Sequence, residues 1–250
     1  GDRVFGLVGG GAQAEYLVTH EEVVAAIPDN LGMVEAAAAP EAFITAHDAL
    51  VSQAGMGAGD RVLIFAAGSG VGLAAVHLIR ALGAMAFGTT RTPDKLLRAR
   101  TEGLTDGAAI ELPTEIPLLV ERWTAGAGMD VVLDLVGGDY AAAGVDSLAR
   151  GGRLMLVGTL AGTRASLDLR RILSRRLTIR GTVLRARPLD EKIAVTEAFV
   201  RDVLPLLASG SVSPVVDGVY PLEAAADAHA RLERGDAVGK LVLALTSGDA

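Results

Sequence analysis

Apolar positions along the middle of the chain follow two alternating patterns. Short apolar runs rich in Val, Ile and Leu are each followed by a stretch with apolar residues at helical spacing. The runs predict strands at Arg61–Ala66, Met85–Thr89, Ala108–Glu111, Asp130–Asp134, Arg153–Val157 and Leu177–Thr182. The stretches between them predict helices over Gly72–Leu82, Pro93–Glu102, Glu115–Gly126 and Tyr140–Ala149. Strands that alternate with helices form a doubly wound parallel sheet, so the expected fold class is α/β.

The two ends of the chain do not repeat this pattern. The first residues predict short strands at Arg3–Val8 and Ala14–Thr19, and Met33–Met56 is Ala-rich and helical, with Pro40 separating two helices. Near the other end, the pattern predicts one long helix over Pro188–Gly210, a helix over Leu222–Arg234 and a strand over Lys240–Leu245. These ends therefore belong to a structure different from the central sheet.

Composition limits the possible functions. The chain has 250 residues, half of them hydrophobic and 21% charged, which is typical of a globular protein. The net charge of −7 argues against a nucleic-acid partner, and we interpret the seven arginines within Arg170–Arg187 as a solvated face or dimer-edge contacts. The charge-free run Val62–Ile79 contains Gly, Ser and His, so we expect no membrane span.

No sequence pattern indicates a metal site or a catalytic nucleophile. The chain has no cysteine, and its four histidines are scattered without metal-ligand spacing. We therefore expect no zinc. The lack of cysteine also fits a reducing compartment, and we expect the protein to be cytoplasmic.

A small-residue turn joins the first central strand to the next helix. Gly-rich turns of this kind bind the pyrophosphate of a dinucleotide through backbone N–H groups at the helix N-terminus. The literal G-x-G-x-x-G is replaced by Ala67, Ser69 and Gly72, with Gly70 and Val71 between the last two. An ordinary strand-to-helix turn is the alternative, but the strand before it and the second strand behind it favour a nucleotide site.

The end of the second central strand indicates which dinucleotide binds. NAD-specific folds place Asp or Glu there to bind the ribose 2′-hydroxyl. This chain instead has Thr90, Arg91 and Thr92, followed by Lys95, which are suited to a 2′-phosphate. The prediction is NADPH, with an ordinary helix start as the alternative.

Further contacts are expected where later strands end, because ligands of open α/β sheets bind at the carboxyl edge. Val136 and Gly137 follow the fourth central strand, where we expect a ribose contact. Gly158 and Thr159 follow the fifth, where we expect the nicotinamide. A plain strand-to-helix turn is the alternative for Val136 and Gly137.

Several local motifs, taken in order, resemble those of the zinc-free medium-chain dehydrogenase/reductases, in particular the quinone oxidoreductase branch. The resemblance covers essentially the whole chain. The motifs are Gly1-Asp-Arg-Val-Phe5, Gly9-Gly-Gly-Ala-Gln-Ala-Glu-Tyr16, Ala37-Ala-Ala-Pro-Glu-Ala-Phe43, the loop Ala66–Gly72, Leu133-Asp-Leu-Val-Gly-Gly138, Leu184-Arg-Ala-Arg187 and Gly239-Lys-Leu-Val-Leu243.

The resemblance implies a Rossmann-type NADP-binding domain, residues 41–187, inserted into a partial GroES-like catalytic domain, residues 1–40 and 188–250. It also implies that Leu184, Arg185 and Lys240 lie near the cofactor and that Thr45 orients the nicotinamide. Relatives carry about eighty more residues before Gly1, a large part of a domain, so we expect the sequence to be a fragment or a shortened variant. Relatives are commonly homodimers.

The expected reaction is a metal-free hydride transfer from NADPH to a small electron-poor acceptor. Positioning and desolvation are sufficient for this chemistry, which fits the lack of a candidate acid–base pair. By resemblance the acceptor is a quinone. The alternatives are an enone or enoyl substrate of the same superfamily and, in another functional class, a nucleotide-binding protein without turnover.

Overall fold

The structure is a computed structural model, and it describes residues 1–245. Within these residues the strands, numbered in chain order, are β1 Val4–Gly6, β2 Val24–Ala26, β3 Arg61–Phe65, β4 Met85–Thr90, β5 Asp106–Ala109, β6 Met129–Asp134, β7 Leu148–Leu156, β8 Thr178–Gly181, β9 Val216–Pro221 and β10 Lys240–Ala244. The α-helices are α1 Met33–Ala38, α2 Pro40–His47, α3 Gly70–Ala81, α4 Pro93–Thr101, α5 Ile116–Thr124, α6 Asp139–Ser147, α7 Leu169–Arg175, α8 Leu189–Asp202, α9 Leu204–Ala208 and α10 Ala225–Arg234.

The described chain divides into two compact units. The first unit contains Gly1–His47, Ser69–Ala74 and residues 183–245. The second unit contains Asp48–Gly68 and Ala75–Thr182.

The second unit is built on a six-stranded parallel sheet in the order β5-β4-β3-β6-β7-β8. From β3 the chain first adds strands toward one edge and then returns to add β6, β7 and β8 toward the other. The order therefore reverses between β3 and β6, and ligands of such sheets bind beyond the carboxyl ends of the strands at this point. The expected α/β fold with a doubly wound parallel sheet is confirmed.

A continuous apolar core covers one face of this sheet. Leu63 and Phe65 of β3, both fully buried, lie in it with residues of β6 and of α5 and α6. Phe87 of β4 stacks on Trp123 of α5 with ring centroids 5.9 Å apart. Buried apolar side chains of this kind are the main source of stability and fix the positions at which the strands end.

The first unit has two small sheets and a group of helices. Strands β1 and β2 pair antiparallel, and β9 and β10 pair parallel. Phe5 of β1 contacts Phe199 of α8 edge to face, at 5.8 Å between ring centroids. His47, at the end of α2, is buried and lies 3.1 Å from the Asp202 carboxylate at the end of α8.

Several predicted elements differ from those observed. Ala14–Thr19 forms no strand: Tyr16 and Val18 are 90% and 99% exposed, so their apolar character does not reflect a buried strand. The predicted helix Pro188–Gly210 is two helices, α8 and α9, because Pro205 in the first turn of α9 has no N–H to continue the earlier helix. Strand β9 was not predicted.

Smaller differences concern boundaries. β5 lies two residues earlier than expected, at Asp106–Ala109. β7 begins at Leu148, inside the predicted helix Tyr140–Ala149, because Leu148 already pairs with Met129 of β6. The predicted helix Leu222–Arg234 begins with a 3₁₀ turn, and α10 itself starts at Ala225. Among residues 1–245, no helix combines the length and apolar character needed to cross a membrane.

Candidate nucleotide-binding site

The backbone of the loop after β3 packs closely against β4 and against the side chain of Lys95. Ala66 adopts a left-handed conformation with φ of 56°, which is unfavourable for any residue with a side chain. Ala67 is fully buried, and its N–H donates to the Thr89 carbonyl of β4 at 3.0 Å. A Cβ added to Gly68 would lie 2.9 Å from the Cβ of Lys95, so only glycine fits beneath this lysine. These contacts all lie within the second unit.

In the first unit, the start of α3 is capped by a serine. The Ser69 Oγ accepts the N–H of Gly72 at 3.1 Å, and Val71 is partly buried in the same turn. A Cβ on Gly70 would lie 2.8 Å from Cδ and 2.9 Å from Cε of Lys240, so the lysine chain passes directly over this glycine. The helix N-terminus is thus closely approached by one cationic side chain.

The Lys240 ammonium has no hydrogen bond or ion pair with any residue from 1 to 245. Burial lowers the pKa of this lysine, and the charge of Glu41 opposes that shift only in part. A desolvated cation without a counter-ion is costly unless an anion joins it. Lys240 and the first turn of α3 therefore have the chemistry required to hold a pyrophosphate, and a dinucleotide fits this part of the chain.

At the end of β4, the two threonine hydroxyls make hydrogen bonds within the turn, whereas the Arg91 guanidinium does not. The Thr90 hydroxyl donates to the Thr92 carbonyl at 2.9 Å, and the Thr92 hydroxyl accepts the N–H of Lys95 as the N-cap of α4. Arg91 is exposed, and its guanidinium makes no hydrogen bond or ion pair within residues 1–245. The two threonines thus shape the turn, while Arg91 has donors available for a phosphate.

The segments after β6 and β7 contact each other through the backbone. Val136 accepts the N–H of Ala161 at 2.8 Å, and a Cβ on Gly137 would lie 2.8 Å from the Gly158 carbonyl oxygen and from the Cα of Thr159. Side chains cannot enter this contact. The structure therefore brings Val136, Gly137, Gly158 and Thr159 together at the carboxyl edge of the sheet.

The remaining predicted residues lie in the first unit. Thr45 of α2 is 7% exposed, and its hydroxyl makes no hydrogen bond within the described chain. Leu184 is buried, and the Arg185 Nε donates to the Gly9 carbonyl at 3.1 Å. Thr45 therefore has a free hydroxyl for a ligand, whereas one donor of Arg185 is already used to hold the Gly9 loop.

Comparison with known proteins identifies the family. Residues 111–243 match the model of a family described as zinc-binding dehydrogenase. The chain belongs to this family. The family is part of the medium-chain dehydrogenase/reductase superfamily, and the resemblance to its quinone oxidoreductase branch is confirmed.

Two curated relatives illustrate the range. Erythronolide synthase EryA2 of Saccharopolyspora erythraea is 36% identical over 97% of this chain, but this covers only 6% of that protein. Quinone oxidoreductase of Homo sapiens is 29% identical over 98% of this chain and 73% of its own length. The chain thus spans a small part of the first relative and about three quarters of the second.

Two solved structures show the same architecture. Mycobacterial Rv1454c complexed with NADPH has a TM-score of 0.88 at 28% identity, covering 97% of this chain and 74% of that one. An NAD-dependent alcohol dehydrogenase has a TM-score of 0.84 at 34% identity, covering 94% of this chain and 66% of that one. One of these neighbours was thus solved with NADPH, and the other is an NAD-dependent enzyme.

The family's description mentions zinc. Among residues 1–245, no group of three or more His, Cys, Asp or Glu side chains is arranged to hold a metal ion. Independence from zinc remains a prediction for this chain.

Two residues near the predicted contacts were missed by the sequence analysis. Glu41 is exposed at the start of α2, and its charge acts on Lys240; the sequence indicated only a first-turn acid favoured by the helix dipole. Tyr140 packs edge to face on Phe65 at 5.4 Å, and its hydroxyl makes no hydrogen bond within residues 1–245. Position after the fourth central strand was the only available signal for Tyr140.

Proposed function

We propose that this chain is the nucleotide-binding core of an NADPH-dependent reductase. The proposal rests on Lys240, whose aliphatic chain passes over Gly70 at the start of α3 and whose ammonium has no hydrogen bond or ion pair within residues 1–245. A partly buried cation at a helix N-terminus is suited to a pyrophosphate. Ser69, Gly70, Val71 and Gly72 would supply the adjoining backbone contacts.

The second unit supports a preference for NADPH over NADH. The end of β4 has no acidic residue to accept the ribose 2′-hydroxyl, and the Arg91 guanidinium is free. A 2′-phosphate would accept hydrogen bonds from Arg91 and gain from the charge of Lys95, whose side chain covers Gly68. Thr90 and Thr92 act here by holding the turn, since their hydroxyls bond to its backbone.

The proposed reaction is hydride transfer without a metal. When bound, NADPH supplies a hydride; the acceptor also takes up one proton from water and leaves reduced by two electrons. Thr45 would orient the nicotinamide through its unbonded hydroxyl. Val136, Gly137, Gly158 and Thr159 would contact the ribose and nicotinamide with backbone groups, and the buried Leu184 would help to exclude water from the nicotinamide.

Quinones are the first candidate acceptors and conjugated enones the second. Quinone oxidoreductases match this chain over most of their own length, which supports the quinone. Two polyketide synthases, NorB of Streptomyces orinoci and EryA2, match at 33% and 36% identity, above the 29% of the quinone oxidoreductases, which favours an enone or enoyl thioester. Both acceptors take hydride at a conjugated carbon or carbonyl, so the described residues serve either.

The test is NADPH oxidation followed at a fixed concentration of this chain with an ortho-quinone and, in parallel, with an enoyl thioester. Faster turnover of the quinone supports the proposal, and faster turnover of the thioester reverses the order. Thr45→Val removes the hydroxyl while keeping the shape, and we expect it to lower kcat more than it weakens NADPH binding. Tight NADPH binding without turnover of either acceptor would favour the nucleotide-binding protein instead.

We also propose a homodimer formed through β8. This strand is the last in the six-stranded sheet, and within residues 1–245 only its β7 side is paired. Exposed strand edges pair readily with another chain. Sedimentation analysis tests this: a dimer that Ile179→Pro converts to monomer supports the proposal, and a wild-type monomer contradicts it.

A further inference from the structure

The turn that follows β6 is closed by a buried carboxylate. Asp134, the last residue of β6, is 0% exposed, and its Oδ1 accepts the N–H groups of Val136 and Gly137, both at 2.8 Å. Gly137 and Gly138 in this turn have φ of 75° and 57°, conformations that favour glycine. The side chain of Asp134 thus fixes a backbone path that few sequences adopt unaided.

The same aspartate also reaches the loop after β7. Its main-chain carbonyl accepts the N–H groups of Val157 at 2.9 Å and Gly158 at 3.2 Å. The Gly138 N–H donates to the Gly162 carbonyl at 3.0 Å. Backbone hydrogen bonds therefore join residues 134–138, which end β6 and form the turn after it, to the loop after β7.

Closing a turn with a buried carboxylate costs free energy, because the charged group loses its hydration. The Oδ2 of Asp134 is buried and has no hydrogen-bond partner among the described residues, and this burial raises the pKa of Asp134. An asparagine or serine would accept the same N–H groups without burying a charge. The turn that Asp134 holds lies at the carboxyl edge of the sheet, where ligands of α/β folds bind, so its geometry bears on the candidate site.

We propose that Asp134 is a positioning residue of the nucleotide site: its carboxylate holds the turn 136–138, and through it the loop 158–162, in the arrangement that binds the nicotinamide half of the cofactor. The inference rests on the proposed binding of NADPH. It assigns Asp134 no contact with the cofactor, and it predicts that the adenosine half, bound near the end of β4, does not depend on this residue.

The test compares two ligands on four proteins. NADPH and 2′,5′-ADP are titrated into the wild type, Asp134→Ala, Asp134→Asn and Asp130→Ala, with the melting temperature of each measured. Asp130 is the matched control, because it lies in the same strand and bonds to Arg61, also of the second unit. We expect Asp134→Ala, which removes the acceptor of both N–H groups, to weaken NADPH about ten-fold and 2′,5′-ADP less than two-fold.

The control should leave both affinities within two-fold whatever it does to the melting temperature. Unchanged NADPH binding in Asp134→Ala would overturn the inference, as would equal weakening of both ligands, which indicates general destabilisation. Asp134→Asn is expected to bind NADPH within about two-fold of the wild type, because its amide oxygen still accepts the two N–H groups. A wild type that does not bind NADPH would refute the proposed function itself.

Discussion

At the scale of single residues, we expect substitution of Lys240 to affect the stability of the fold and the binding of NADPH in different ways. Its ammonium is desolvated and unpaired, so Lys240→Met should leave the melting temperature unchanged or raise it. The same change should weaken NADPH by about 10- to 100-fold, since a charged hydrogen bond contributes about 1.5–3 kcal/mol. Thermal melting and NADPH titration on one preparation measure both, and Lys240→Arg serves as the charge-retaining control. A Met variant that binds NADPH like the wild type contradicts the phosphate role of Lys240.

Arg91 tests the choice of cofactor. Its free guanidinium is the group best placed to bind a 2′-phosphate, so Arg91→Gln should weaken NADPH about ten-fold and leave NADH within two-fold. Arg170→Gln, at an exposed arginine of α7, is the control for a general change in charge. Equal effects of the two variants on NADPH would show that only net charge matters.

Ala66 is strained by its left-handed backbone. With φ of 56°, a Cβ at this position costs about 1–2 kcal/mol, and the extra entropy of an unfolded glycine offsets part of the relief. Ala66→Gly should therefore raise the free energy of unfolding by about 0.5–1 kcal/mol in urea titrations. Ala67→Gly, one residue on without positive φ, should lower it. If both variants lower stability alike, the strain at Ala66 is not real.

At the scale of elements, a buried histidine joins α3 to the end of α4. His77 is 4% exposed, and its Nε2 lies 2.8 Å from Oε2 of Glu102. Burial lowers the pKa of His77 and outweighs the opposing effect of Glu102. Because the folded state takes up this proton less readily than the unfolded chain, stability should fall as the pH drops below about 6.5.

The pH dependence can be assigned by substitution. His77→Gln should reduce the loss of unfolding free energy between pH 7.5 and 5.5, where one histidine contributes at most about 1.4 kcal/mol per pH unit. His229→Gln, at an exposed histidine of α10, should leave the slope as in the wild type. A wild-type slope in His77→Gln would show that other groups cause the acid sensitivity.

The elements also show what sequence reasoning can predict. The six strands of the parallel sheet and the helices α3 to α6 were predicted in order, because buried parallel strands form uninterrupted apolar runs. Helix α7, Leu169–Arg175, was not predicted. The strand predicted over Ala14–Thr19 was wrong because exposed apolar residues mimic a strand pattern. The break between α8 and α9 was predictable from Pro205, whereas β9 has no buried residue and pairs with β10, which lies beyond α10.

The candidate site was predictable in location more than in detail. Glycine positions and strand ends indicated where a nucleotide would bind. The internal bonds of Thr90 and Thr92, and the path of Lys240 over Gly70, depend on contacts that no local pattern contains. Asp134 was overlooked because an aspartate that ends an apolar strand resembles any polar strand end until its hydrogen bonds are known.

At the scale of the whole molecule, the net charge and the family membership are both compatible with a small anionic ligand that is bound by a few cationic side chains. The net charge is −7, so binding of NADPH must come from local groups rather than from the overall field. The chain belongs to the zinc-binding dehydrogenase family and spans about three quarters of its human quinone oxidoreductase relative. We therefore propose that the residues present in this chain are sufficient to bind the cofactor.

Parallel titrations of the wild-type chain with NADPH and NADH, followed by nicotinamide fluorescence and checked by calorimetry, measure the proposed binding itself. We expect saturable binding of NADPH at one site per chain, at least ten-fold tighter than NADH, since a 2′-phosphate bound by Arg91 contributes roughly one charged hydrogen bond. Equal affinity, a preference for NADH or no binding of either would contradict the proposal.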